Sequence, residues 1–265
     1  MLVSIVIPAR NSARTLPLTL RSIKRQTYPH LEVIVVDGRS SDNTANIAQS
    51  HGARVITTRP NRSLQRNVGA RHAQGDILYF VDSDFYLTPG VVQECVDLIN
   101  AGADAVIVLN ISNPLTGTVA KIRYYERMSY YRSGIYEAAR CMTRQTFWKA
   151  GGYDPRLYAN EDYDLHARIV ATGAKIAHTQ KNFEIHLNEP ATWRQLITKS
   201  IYYSRNITTY LRKNPNPAHI TPIRPTYLKK EYVAWATSRW TWAIPAVIIQ
   251  KIIQAAGTII GKIII

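Results

Sequence analysis

Asp82 and Asp84 flank Ser83 directly after the apolar run of residues 77–81. In an extended chain residues i and i+2 point the same way, so the two carboxylates can converge on one point. Two hard oxygen donors held together suit Mg²⁺ or Mn²⁺, with phosphate oxygens supplying further ligands. Short acidic pairs also cap helices and fill turns, so the reading depends on what carries the pair. Asp37 closes another apolar run, residues 33–36, in the same manner.

The elements that must position these acids alternate. Apolar runs at residues 2–8, 32–36, 54–56, 77–81 and 105–109 read as buried strands. Leu16, Leu20 and Ile23 recur at helical spacing, and Asp42 can cap a helix reaching Ser50. Residues 62–73 read as a helix with Gly75 beyond its end, and Thr88-Pro89 open another that reaches Asn100. Strands alternating with helices of this length predict an α/β fold, a mostly parallel central sheet flanked by helices. Ligands of such sheets sit outside the carboxyl ends of the strands, where Asp37, Asp82 and Asp84 lie. After Asn110 the alternation blurs into a tyrosine-rich segment, read as helix and then loop. Gly151-Gly152-Tyr153-Asp154 reads as a turn, residues 161–171 as a helix and residues 184–187 as a short strand.

Composition narrows the classes. At 265 residues and 46% hydrophobic the chain can bury a sizeable core, and two cysteines, Cys95 and Cys141, exclude a disulfide scaffold and a Cys-rich zinc site. Both lie among apolar neighbours and read as buried free thiols of a reducing compartment. Residues 1–8 do not read as a secretory leader. The net charge of +15 is uneven: residues 191–265 hold eleven Lys and Arg and one acid, Glu231. These charges sit among Trp193, Trp235, Trp240 and Trp242 and run into an isoleucine-rich tail, the pattern of a membrane interface. A solvated basic face beside core helices is the plainer reading. Nucleic-acid binding through the basic surface is a further class; no nucleic-acid motif accompanies the charge, so no nucleic-acid partner is expected.

The expected organisation is an α/β domain over 1–190, a basic amphipathic helix over 191–213, a proline-rich linker over 214–225 and membrane-interacting helices over 226–265. On a helical wheel Gln250, Lys251, Gln254, Thr258 and Lys262 fall within an arc of about 120°, which favours a helix lying in the interface. A spanning helix over residues 243–265, about 23 residues, stays open.

Residues 3–11, Val35-Val36-Asp37-Gly38-Arg39-Ser40-Ser41-Asp42-Asn43-Thr44, Gln65-Arg66-Asn67-Val68-Gly69, Gly75-Asp76-Ile77 and Val81-Asp82-Ser83-Asp84 together resemble family 2 glycosyltransferases of the GT-A fold. Gly151-Gly152-Tyr153-Asp154 and Glu161-Asp162-Tyr163-Asp164-Leu165 extend the likeness, which covers residues 2–190. The resemblance implies inverting transfer of a sugar from a nucleoside diphosphate. Pro8, Ala9 and Arg10 would then line the nucleotide pocket, and Asp37 would bind the base or else cap its own turn. Arg66 would lie near the base or diphosphate, or on an exposed helix face. Asp82 would contact ribose or metal-bound water, with Ser83 beside it, and Asp84 would ligate Mn²⁺ or Mg²⁺. Asp162 would be the general base, with Glu161 raising its pKa or capping the helix. Gly151 and Gly152 would let backbone approach the donor sugar, and His186 would complete the metal shell or be structural. Tyr203 and Arg205 would reach the diphosphate or face lipid.

The chain lacks the Gln-x-x-Arg-Trp signature of processive synthases, and Gly38 stands where a second acid is common, so base preference is open. The expected reaction moves a hexose, mannose or glucose, from GDP-mannose or a UDP-hexose to a lipid-linked hydroxyl. The site would be the cytoplasmic face of the cell membrane, with the chain peripheral or C-terminally anchored. A polyprenyl-phosphate hexose synthase is the neighbouring alternative.

Overall fold

The computed structural model describes residues 1–130, 137–190, 192–214, 249 and 252. It divides into two units, residues 1–110 with 138–187, and residues 111–137 with 188–265.

In the first unit β1 (Val3–Ala9), α1 (Leu16–Lys24), β2 (Leu31–Asp37), α2 (Thr44–Ser50), β3 (Arg54–Thr57), α3 (Arg62–His72) and β4 (Ile77–Phe80) alternate as the sequence predicts. β1 pairs in parallel with β2 and β4, and β2 with β3. All seven residues of β1 are buried, as a strand covered on both faces requires. Alternate strand residues enter two separate cores: Ile5, Ile7, Val35, Ile77 and Tyr79 in one, and Val6, Ile34, Val36, Leu78 and Phe80 in the other. Cys95 and Cys141 are buried and form no disulfide.

The rest of the sheet is antiparallel. β5 (Phe85–Leu87), α4 (Val91–Asn100), β6 (Ala105–Ser112), β7 (Cys141–Thr143), α6 (Arg144–Lys149), α7 (Glu161–Ala171) and β8 (Ile176–His186) follow, and α5 (Thr118–Tyr130) lies between β6 and β7 in sequence. β7 runs against β4 and β6, and β5 against β8, giving the order β3-β2-β1-β4-β7-β6-β8-β5. The parallel expectation therefore covers four strands, and the sheet is mixed. β8 is eleven residues where the sequence suggests four, because Ile176–Asn182 is mostly polar and offers no apolar run.

The second unit contains α5 and α8 (Trp193–Lys213), the basic helix predicted from its apolar stripe. Thr192 and Gln195 close a capping box at its start. The carboxylate of Glu189, fully buried, accepts from Arg123 Nε (2.8 Å), Arg127 Nη2 (2.6 Å) and Ser112 Oγ (3.2 Å). Among the described residues no helix is long and apolar enough to cross a membrane. The linker over 215–225 and the helices expected over 226–265 lie outside the described residues, apart from positions 249 and 252.

Candidate active site

α3 is built with its polar side inward. Asn61 caps it, accepting from Leu64 N at 2.8 Å, and the helix then buries Ser63, Gln65, Arg66 and Asn67. A buried polar face must be bonded, and each of these side chains has a partner. Gln65 Nε2 donates to Ala9 O (2.9 Å) and Val36 O (2.7 Å), tying the carboxyl ends of β1 and β2 together. Asn67 donates to Tyr153 O (2.7 Å) and accepts from Tyr153 N (2.9 Å). Ser63 Oγ donates to Leu157 O (3.1 Å). Gly69 permits this close seating, since a Cβ there would strike Val6 and Val36. α3 thus carries the turn at Gly151 and Gly152, whose φ values of +82° and +67° suit glycine.

Arg66 is 1% exposed. Its Nη1 donates to Glu161 Oε1 (3.0 Å) and Asp162 Oδ1 (2.9 Å), its Nη2 to Asp82 Oδ1 (2.8 Å), and its guanidinium lies 4.8 Å from the centre of the Tyr153 ring. Its burial excludes the exposed-helix reading of Arg66, which lies among three carboxylates. Arg62 Nη1 reaches the same Glu161 oxygen at 3.2 Å.

The acidic loop leaves β4 with Asp82, Ser83 and Asp84 at the sheet's carboxyl edge. Ser83 Oγ shares a hydrogen bond with Ser12 Oγ (2.8 Å), and Ser83 O accepts from Thr19 Oγ1 (3.1 Å). β5 pairs Phe85 with His186 of β8, which brings His186 Nδ1 to 3.8 Å from Asp84 Oδ2. Asp82 turns the other way, its second oxygen accepting from Arg140 Nη2 at 3.2 Å. Among the described residues no three His, Cys, Asp or Glu side chains gather to hold a metal by themselves. A carboxylate and an imidazole at the Asp84–His186 spacing fit a Mn²⁺ or Mg²⁺ ion whose remaining ligands come from phosphate and water.

Glu161 and Asp162 open α7, where the helix dipole favours negative charge. Burial pushes Asp162 above the ordinary carboxylate range, the neighbouring Glu161 and Asp82 add to the push, and Arg66 and Arg140 oppose it. Burial acts on Asp82 in the same sense, but Arg140 and Arg66 outweigh it and hold that group well below the range. Glu161 is also held low, since Arg62 and Arg66 overcome its burial. The cluster therefore separates its carboxylates into firmly ionised ones and one that takes a proton more readily.

The residues expected on the nucleotide side lie at and just beyond the carboxyl ends of β1 and β2. Pro8 and Ala9 are buried at the end of β1, and Arg10 is exposed. Asp37 is 4% exposed and caps its own turn, accepting from Ser40 N at 3.0 Å and from Ser40 Oγ. The side chains of Tyr203 and Arg205 lie outside the described residues.

Two buried charges escape the sequence reading. Arg140 precedes the three-residue strand β7 in a segment with no motif. Glu184, whose side chain is fully buried, accepts from Tyr79 Oη (2.7 Å) and Asn110 Nδ2 (3.3 Å), and its burial pushes its pKa up. The available signal was their setting: Arg140 between Ala139 and Cys141-Met142, and Glu184 between Phe183 and Ile185, are charges inside apolar runs.

Residues 4–153 match the family described as Glycosyl transferase family 2. An uncharacterized glycosyltransferase of Haemophilus influenzae is 26% identical over 223 residues, 78% of this chain and 72% of that protein. The 4,4'-diaponeurosporenoate glycosyltransferase of Staphylococcus haemolyticus is 38% identical over 93 residues, 32% of this chain and only 24% of that protein. Among solved structures, the mannosyltransferase PcManGT of Pyrobaculum calidifontis, in complex with GDP-Man and Mn²⁺, has a TM-score of 0.61 at 18% identity, covering 96% of this chain and 75% of its own. The glucosyl-3-phosphoglycerate synthase of Mycobacterium tuberculosis, in complex with Mn²⁺, UDP-Glc and phosphoglyceric acid, has a TM-score of 0.57 at 23% identity, covering 80% and 79%. The curled mixed sheet seen here is the GT-A fold of these neighbours.

Proposed function

This chain belongs to glycosyl transferase family 2, and from that premise we propose that it moves a hexose from a nucleotide-sugar donor, with inversion, to a lipid-linked hydroxyl at a membrane surface. The observation that carries the reading is Arg66 bonded to both Asp82 and Asp162, with Asp84 two residues beyond Asp82 facing His186. The donor's nucleoside would lie against the loops after β1 and β2, with Asp82 toward the ribose and the Gly151-Gly152 backbone toward the sugar. Asp84 and His186 would hold Mn²⁺ or Mg²⁺, which would offset charge on the departing diphosphate. Asp162 would take the proton of the acceptor hydroxyl as its oxygen forms the new glycosidic bond and the diphosphate leaves from the opposite face. The raised affinity of Asp162 for a proton suits that role. GDP-Man and UDP-Glc, bound by the structural neighbours, make GDP-mannose and UDP-glucose the donors to try first.

The membrane part of the reading rests on the basic, tryptophan-bearing and isoleucine-rich sequence after residue 190, which would hold the site where a lipid acceptor presents its head group. The deciding experiment screens GDP-mannose and UDP-glucose with Mn²⁺ or Mg²⁺, then assays transfer onto extracted lipids. Transfer that is lost in Asp162→Asn supports the reading. Near-normal turnover of Asp162→Asn on a polyprenyl phosphate, whose attacking oxygen is already ionised, would replace it by a polyprenyl-phosphate hexose synthase.

A further inference from the structure

We propose that Arg140 is a positioning residue for the reaction: it faces the second oxygen of the Asp162 base and couples that base to Asp82 on the donor side. The inference rests on the base role given to Asp162 above.

The geometry is specific. Arg66 takes one oxygen from each carboxylate, Asp82 Oδ1 at 2.8 Å and Asp162 Oδ1 at 2.9 Å. Arg140 faces the remaining two: its Nη2 lies 3.2 Å from Asp82 Oδ2 and 3.7 Å from Asp162 Oδ2. The two acids are thus spanned by a pair of guanidiniums, one from below and one from the side. The guanidinium of Arg140 is seated 4.7 Å from the centre of the Phe85 ring, and its Nη1 lies 3.8 Å from Glu184 Oε2. Phe85 directly follows the acidic loop, so the same strand that presents Asp84 also seats Arg140.

The two arginines are not equivalent. Arg66 is 1% exposed and bonded to three carboxylates, which makes it part of the framework. The Arg140 side chain is 15% exposed and makes one hydrogen bond within 3.5 Å to a carboxylate, Asp82. Arg140 is the cation whose balance between Asp82 and Asp162 a bound donor can change. When Asp82 turns toward a ribose, Arg140 is left to Asp162, which favours the ionised base at the moment a donor is in place. The groups facing Asp162 are Arg66 from α3, Glu161 from α7, Asp82 beyond β4, Arg140 before β7, and Tyr153 behind Arg66. Of these, the two arginines favour its ionised form.

The test combines Arg140→Gln and Arg140→Lys with a probe that needs no substrate. Asp side-chain carboxyls are labelled with ¹³C in the full chain, and the Asp162 resonance is assigned by its loss in Asp162→Asn. The inference predicts that Arg140→Gln moves the Asp162 titration midpoint to higher pH, with Arg140→Lys between it and the unsubstituted protein. In turnover with UDP-glucose or GDP-mannose and Mn²⁺, Arg140→Gln lowers kcat by about tenfold or more at neutral pH and recovers part of it at higher pH. Donor KM changes by less than about threefold. An Asp162 midpoint unmoved in folded Arg140→Gln overturns the inference. Should Arg140→Gln fail to fold, an unmoved midpoint in Arg140→Lys overturns it equally. Failure of the base reading looks different: Asp162→Asn then keeps its turnover whatever Arg140 does.

Discussion

Asp162 and Asp82 face the same two arginines and yet titrate in opposite directions. The difference lies in their other neighbours. Asp82 feels Arg62 as well, whereas Asp162 sits beside Glu161 and across from Asp82, so like charges add to its burial. A carboxylate whose pKa is raised by folding costs stability as pH rises from its unfolded pKa toward its folded one. Asn at that position removes the cost. Asp162→Asn is therefore expected to lower kcat by about 10²–10⁴-fold, while its melting temperature at pH 7 stays equal or rises. A thermal melt that falls by several degrees would assign Asp162 to the framework instead.

At the scale of elements, the site is a consequence of α3 lying against β1 and β2 with its polar face down. Gly152 is the point where that arrangement is most exposed to test. Its φ is +67°, and a Cβ there would come to 3.0 Å from Asn67 Oδ1 and 3.3 Å from Phe147 Cζ. Gly152→Ala is expected to cost about 1–3 kcal/mol in denaturant unfolding, and to lower activity further by shifting Tyr153 beneath Arg66. An unchanged midpoint would show that the turn can relax away from α3. The parallel half of the sheet was readable because β1, β2 and β4 are largely apolar runs, the last two leading into aspartates. β5, β7 and the length of β8 were not, since a three-residue strand carries no period and the first seven residues of β8 are mostly polar. Arg66 shows the same limit at one residue: its motif marked it, but only the packing reveals that it is buried. Arg140 had no motif at all, and its role depends on β7 pairing with β4, a contact 62 residues apart between Tyr79 and Cys141.

At the scale of the whole molecule, charge and apolar residues are concentrated after residue 190, and the unit that holds them also buries Glu189 among Arg123, Arg127 and Lys199. If the tail lies on anionic lipid, the full chain sediments with phosphatidylglycerol vesicles and not with phosphatidylcholine vesicles, and salt weakens the association. Lys251→Glu with Lys262→Glu is expected to weaken sedimentation by at least about tenfold, each basic residue near the surface contributing about 1 kcal/mol and its reversal more. Equal sedimentation with both lipids would favour a spanning helix over an interfacial one, and sedimentation with neither would remove the membrane from the account.

The central claim is that the acidic edge of the sheet grips a nucleoside diphosphate sugar through a divalent cation. It is tested most directly by crystals grown with Mn²⁺ and UDP-glucose or GDP-mannose, read by the anomalous signal of manganese. The account predicts one peak within bonding distance of Asp84 and His186, with the diphosphate against it and the anomeric carbon facing Asp162. Manganese and donor bound together at any other place, with Asp84 and His186 unengaged, would contradict it.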